Sequence, residues 1–121
     1  MYSILIVEDE QAIHSLLKSE FIKEGFSVSV ATNAKEALSV LSPAPDIIIL
    51  DIMLPGGKNG FDLLEELKHN PGYSNIPVMV LTNLATEEAT ARLMGASDYI
   101  LKADTPIRTV IERVKTLISK T

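Results

Sequence analysis

Five short apolar runs recur along this chain, and each is followed by a segment whose apolar residues fall three and four apart. The runs are "SILIV" (3–7), "FSVSV" (26–30), "DIIIL" (46–50), "IPVMVL" (76–81) and "SDYIL" (97–101). Most are too apolar to turn a face to water. Five strand-then-helix alternations therefore predict a parallel sheet covered by helices on both sides, joined by right-handed crossovers. The expected architecture is an α/β, doubly wound, five-stranded parallel sheet with five helices.

The helical segments carry their own punctuation. The first places Ile13, Leu16, Leu17 and Phe21 on one face and ends near Gly25, a residue suited to a helix C-terminus. Asn33, with Glu36 three residues on, resembles a capping pair ahead of Ala34, Ala37, Leu38 and Leu41. The third carries Phe61, Leu64 and Leu67 and stops at "NPG" (70–72). Thr86, with Glu87 and Glu88 in a first turn, opens a short fourth helix closing at Gly95. In "TPIRTVIERVKTLISK" (105–120), Pro106 takes the first helical position, and Ile107, Val110, Ile111, Val114, Leu117 and Ile118 form one stripe.

The length, 121 residues, is that of one domain, expected to span 1–121. The apolar runs fall far short of the ~20 residues that cross a bilayer, and strand-like "YSILIV" follows Met1 where a signal peptide would carry a basic leader. Without cysteine the chain has no thiolate chemistry, and a reducing cytoplasm suits it. A formal charge of −5 disfavours direct binding to nucleic acid and favours a cation or a basic partner.

In doubly wound sheets, ligands bind beyond the carboxyl ends of the strands. Strand one ends in Glu8 and Asp9, strand three in Asp51, strand four in Thr82 and strand five in Lys102, whereas strand two runs into uncharged Ala31 and Thr32. If strands one and three are neighbours, three carboxylates, a hydroxyl and an ammonium gather at one end. Carboxylates about 5 Å apart repel by roughly 3 kcal/mol per pair at an effective dielectric near 20. Either one acid is protonated or a cation sits among them. Oxygen-only ligands select a hard ion, and Mg²⁺, which takes a couple of carboxylates and keeps several waters, fits best. Singly, Asp9 could cap a helix, Thr82 could bond its own loop and Lys102 could be solvated; jointly they are the parts that neutralise a phosphoryl group in transfer.

The motifs "ILIVEDE", "DIIILDIMLPGG", "VMVLTN" and "GASDYILK" resemble the response-regulator receiver domains of two-component signalling, over essentially the whole chain. The resemblance implies a flavodoxin-like strand order 2-1-3-4-5 and a phosphorylatable switch, catalytic only on itself. It implies that Asp51 accepts a phosphoryl group from a phosphohistidine on a sensor kinase or phosphotransfer protein. Asp9 would bind Mg²⁺ directly and Glu8 through water, with Asp51 and the Met53 carbonyl completing the protein ligands. Lys102 and Thr82 would each engage a phosphoryl oxygen, and Tyr99 would follow Thr82. Output would pass through the fourth helix, fifth strand and fifth helix, to an attached domain, a partner or a phosphorylation-dependent second copy.

Several residues depart from the family pattern. Ala103 follows Lys102 where proline is usual, often after a cis bond; a non-proline cis bond costs about 2.5–4 kcal/mol, so a trans bond is expected. "GGKNG" is one residue longer than the family pattern and the Thr82 to Tyr99 stretch about two residues shorter, which points to a truncated fourth helix. Asn83 stands where a small residue is customary and threatens to crowd the pocket. Met53 and Leu84 are apolar where polar side chains could orient water, so slow self-dephosphorylation is expected. "GGKNG" lacks the spacing of a phosphate loop, and His14 and His69 have no partner at metal or triad spacing. Two other readings compete: a pseudo-receiver acting only as a binding module, and a haloacid-dehalogenase-like phosphatase, which would want a second acid where Met53 stands.

Overall fold

A computed structural model describes residues 1–119. Its elements alternate as expected: β1 (Ser3–Val7), α1 (Gln11–Lys23), β2 (Ser27–Ala31), α2 (Ala34–Ser39), β3 (Ile47–Leu50), α3 (Gly60–His69), β4 (Val78–Thr82), α4 (Glu88–Leu93), β5 (Asp98–Leu101), a 3₁₀ turn (Lys102–Asp104) and α5 (Ile107–Ser119). The strands form one parallel sheet of order β2-β1-β3-β4-β5. Lys120 and Thr121, at the end of the segment expected to be the last helix, lie outside the described residues.

The apolar strands are explained by the two cores they separate. Leu5, Val7, Ile48, Leu50, Val78, Val80 and Tyr99 face one core, which Ala34 and Ala37 of α2, Leu63, Leu64 and Leu67 of α3, and Ala91 of α4 complete. Ile4, Ile6, Ile47, Ile49, Met79, Leu81 and Ile100 face the other, beneath Leu17 and Phe21 of α1 and Val110, Ile111, Val114 and Ile118 of α5. Successive strand residues point to opposite faces, so a strand buried twice must be apolar at every position.

Local signals hold with small differences. The Asn33 carbonyl Oδ1 accepts the Glu36 N–H at 2.7 Å, but the Glu36 carboxylate reaches back to the Thr32 N–H instead of the Asn33 N–H. A complete capping box instead opens α3, where Asn59 and Asp62 bond each other's N–H. Thr86 lies outside α4, which starts only at Glu88 with no side-chain cap and is six residues long, as the short spacing anticipated. Leu16, expected on the packed face of α1, is 52% exposed, because two faces cannot both turn to the same core. The Lys102–Ala103 bond is trans, the only cis bond among the described residues being Ser42–Pro43.

The order of the sheet sets up the site. It reverses between β1 and β3, placing these strands side by side at the centre with β4 and β5 beyond. Backbone bonds continue the pairing to the strand ends: the Asp51 N–H donates to the Val7 carbonyl at 3.0 Å and the Glu8 N–H to the Ala31 carbonyl at 2.9 Å.

Candidate phosphoacceptor site

Glu8 and Asp9 follow β1, Asp51 follows β3, Thr82 ends β4 and Lys102 follows β5, so the carboxyl end of the sheet carries all five polar residues picked out in the sequence. Glu8, Asp9 and Asp51 each place a carboxylate oxygen within 4.8 Å of the others. Glu8 and Asp51 are buried and Asp9 is exposed at the rim.

Lys102 is the internal counter-ion. Its ammonium donates to Asp51 Oδ2 at 2.7 Å and to Glu8 Oε1, and lies 3.6 Å from Glu10 Oε1. The side chain is 8% exposed, so it is drawn inward by charge and is not the solvated strand-end lysine that a single residue would suggest. Burial pulls its pKa down, but the bonds it donates to Asp51 and Glu8 outweigh this and leave it raised. Glu8 moves the other way for a carboxylate: burial raises its pKa, and the bonds from Lys102 and the Glu10 N–H, which lower it, do not cancel that effect. Three carboxylates against one ammonium leave a formal charge of −3 + 1 = −2 in a largely buried nest.

The loop after β3 holds Asp51 from behind. Its Oδ1 accepts the Met53 N–H at 3.0 Å. Gly60, the first residue of α3, lies so near that a Cβ there would stand 2.3 Å from the Asp51 carbonyl oxygen and 2.5 Å from Ile52 Cα. The glycine thus allows α3 to begin against the segment that carries Asp51. The Met53 side chain is 57% exposed.

Thr82 is fully buried, and its Oγ1 has no hydrogen-bond partner among the described residues. A buried hydroxyl without a partner is costly and rare in folded proteins, so this one is free for a ligand atom. Tyr99 is buried and donates its hydroxyl to the Leu84 carbonyl, tying β5 to the loop after β4; burial raises its pKa. Asn83 does not crowd the pocket: it is exposed and its Oδ1 accepts the Ala103 N–H at 3.1 Å. His69 is exposed and its Nδ1 lies 2.8 Å from the Glu65 carbonyl of its own helix, apart from the nest.

Sequence reasoning missed three contributors. Gly60 was visible as the last glycine of "GGKNG", but only the fold brings it against Asp51. Glu10 was visible as the third acid of "EDE", yet its reach to Lys102 depends on the sheet order, in which two strands separate β5 from β1. The link between Asn83 and Ala103 had no signal beyond two unusual residues at separate positions.

An apolar doubly wound sheet with an aspartate at its centre, a buried lysine, a threonine hydroxyl unpartnered among the described residues and an acidic nest is the arrangement of a receiver-type domain. The family model "Response regulator receiver domain" matches residues 4–115, and the chain belongs to that family. It is 38% identical over 122 residues to response regulator SaeR of Staphylococcus aureus, covering 99% of this chain and 52% of SaeR. The chain thus spans about half the length of the curated relatives it matches. Among solved structures it resembles the signal receiver domain of a signal transduction histidine kinase from Syntrophus aciditrophicus, with TM-score 0.89, 33% identity, and coverage of 100% of this chain and 92% of the other. It also resembles the BeF3-activated N-terminal receiver domain of Klebsiella pneumoniae RstA, with TM-score 0.84, 33% identity, and coverage of 96% and 97%. Receiver domains bind a divalent cation in an acidic pocket of this kind and interact with histidine kinases or phosphotransfer donors. No described helix is long and apolar enough to cross a membrane.

Proposed function

We propose that this chain is a phosphorylation switch in which Asp51 accepts a phosphoryl group from a phosphohistidine donor. The observation that carries the reading is the convergence of Asp51 with Lys102, Glu8 and Asp9 beside an unpartnered Thr82 hydroxyl. A carboxylate oxygen of Asp51 attacks phosphorus, the bond from phosphorus to the donor imidazole breaks, and the imidazole nitrogen leaves with the electron pair. Lys102 balances the charge of the incoming phosphoryl oxygens, and Thr82 offers one of them a hydroxyl that has no partner among the described residues.

The residues fit Mg²⁺. Asp9 and Asp51 would hold it, with Glu8 through water and the Met53 carbonyl completing the protein set, and the ion would neutralise charge on the transferring group. Glu8, Asp9 and Asp51 offer only oxygen and carry excess negative charge, which is the chemistry a hard divalent ion needs.

The phosphoryl group adds about two negative charges and three acceptor oxygens beside Thr82 and Lys102. New bonds to these residues exist only in the modified state, so they bias the loops that carry them. Tyr99, bonded to the loop after β4, is placed to follow Thr82. Output then passes through α4, β5 and α5, where Leu93 is 90% exposed. The recipient is an attached domain, a partner protein or a second copy, in the cytoplasm.

The test is incubation with acetyl phosphate and Mg²⁺, followed by intact mass measurement. Wild type gains one phosphoryl group and Asp51→Asn gains none. An unmodified wild type would favour a pure binding module, and steady phosphate release from small esters would favour a phosphatase.

A further inference from the structure

Beyond the last register pair of β4 and β5, Thr82 with Leu101, the Tyr99 hydroxyl reaches the Leu84 carbonyl from within β5, and the Asn83 side chain links the loop after β4 to the turn after β5. The Asn83 Oδ1 accepts the Ala103 N–H at 3.1 Å. The partners are the immediate neighbours of Thr82 and Lys102, the two residues that face the incoming phosphoryl oxygens. Ala103 can donate because it is not proline and lies within the 3₁₀ turn Lys102–Asp104 after a trans bond.

Both partners are exposed, so water could satisfy either group and neither burial nor packing requires the bond. What the bond does fix is the relative position of two loops. Lys102 has three carboxylates to choose from: Asp51, Glu8 and, at the exposed rim, Glu10 at 3.6 Å. A turn free to shift would let the ammonium drift outward toward Glu10 and away from Asp51.

We propose that Asn83 is a positioning residue for phosphoryl transfer: by holding Ala103 against the end of β4, it presents the Lys102 ammonium and the Thr82 hydroxyl to one phosphoryl group as a fixed pair. This rests on the phosphoacceptor reading above. It also makes the loops after β4 and β5 move together, so that a displacement of Thr82 is passed to the turn leading into α5.

The test uses Asn83→Leu, which removes the acceptor while keeping the branched side-chain shape, Asn83→Asp, which keeps an oxygen in its place, and Ala103→Pro, which removes the donor. Labelling rates with acetyl phosphate at saturating Mg²⁺ are measured beside thermal melts and exchange of the Ala103 amide. Asn83→Leu should slow labelling about three- to tenfold and speed exchange of the Ala103 amide, with the melting temperature nearly unchanged. Asn83→Asp should recover part of the rate. In an Ala103→Pro background, Asn83→Leu should add no further loss; should that background not fold, the exchange and the aspartate recovery still decide. An Asn83→Leu protein that labels at the wild-type rate, or an aspartate variant no better than leucine, overturns the proposal while leaving the phosphoacceptor reading intact. A wild type that fails to label at Asp51 overturns both.

Discussion

At the level of single residues, Thr82 shows the tension between stability and signalling. Its buried hydroxyl has no partner among the described residues, a state that costs about 1–3 kcal/mol. Thr82→Val keeps the shape and removes the orphan, so it should raise the melting temperature by about a few degrees while weakening the response to beryllofluoride. A melt no higher than wild type would mean the hydroxyl is satisfied in solution. Gly60 makes the opposite case: Gly60→Ala drives a methyl into the Asp51 carbonyl, with an expected loss of about 1–3 kcal/mol and slower labelling, read by denaturant unfolding and mass measurement. The acids, the threonine and the lysine were legible in the sequence because strand ends announce themselves where apolar runs stop. Gly60 and Glu10 were not, because their roles depend on distances between separate elements. Met53 is largely exposed and Leu84 packs on the core, and neither carries a polar side chain to steer water, so slow self-dephosphorylation is the expected outcome. A phosphorylated lifetime of only seconds in Mg²⁺ would contradict the slow loss expected.

Among the elements, α1 and α5 lie over the same core and are joined at their surface by Glu24, which accepts from Lys115 and from Arg108 at 3.1 Å. The bonds from Lys115, then Arg108, lower the Glu24 pKa below its usual 4.5. A carboxylate depressed on folding contributes stability above its unfolded value and loses it as pH falls through the folded value. Glu24→Gln should therefore melt slightly below wild type at neutral pH, and the gap should close once pH drops well below 4.5. A gap that persists in acid would show that packing, not charge, is at work. Element type was readable throughout because helical and strand periods differ, and α5 was clearest, its apolar stripe running its full length. Boundaries moved by one or two residues where propensity met topology: β2 begins at Ser27 because the Phe26 N–H still bonds the Phe21 carbonyl of α1. The start of α4 was misplaced because Thr86 offers a cap that the chain does not use.

For the molecule as a whole, strand order is what converts five scattered residues into a site. The two edge strands illustrate this: β2 contributes none of the five, while β5 supplies Lys102 across two intervening strands. The net result is an acidic nest with a formal charge of −2, in which Lys102 alone among the described residues offsets three acids. A ligand that binds the folded chain alone stabilises it by mass action. The most direct measurement is calorimetric titration of Mg²⁺ into wild type, Asp9→Asn and Asp51→Asn near neutral pH. Saturable uptake of one ion by wild type, lost or strongly weakened in both variants, is the expected result; undiminished uptake in the variants, or none in wild type, would contradict the account.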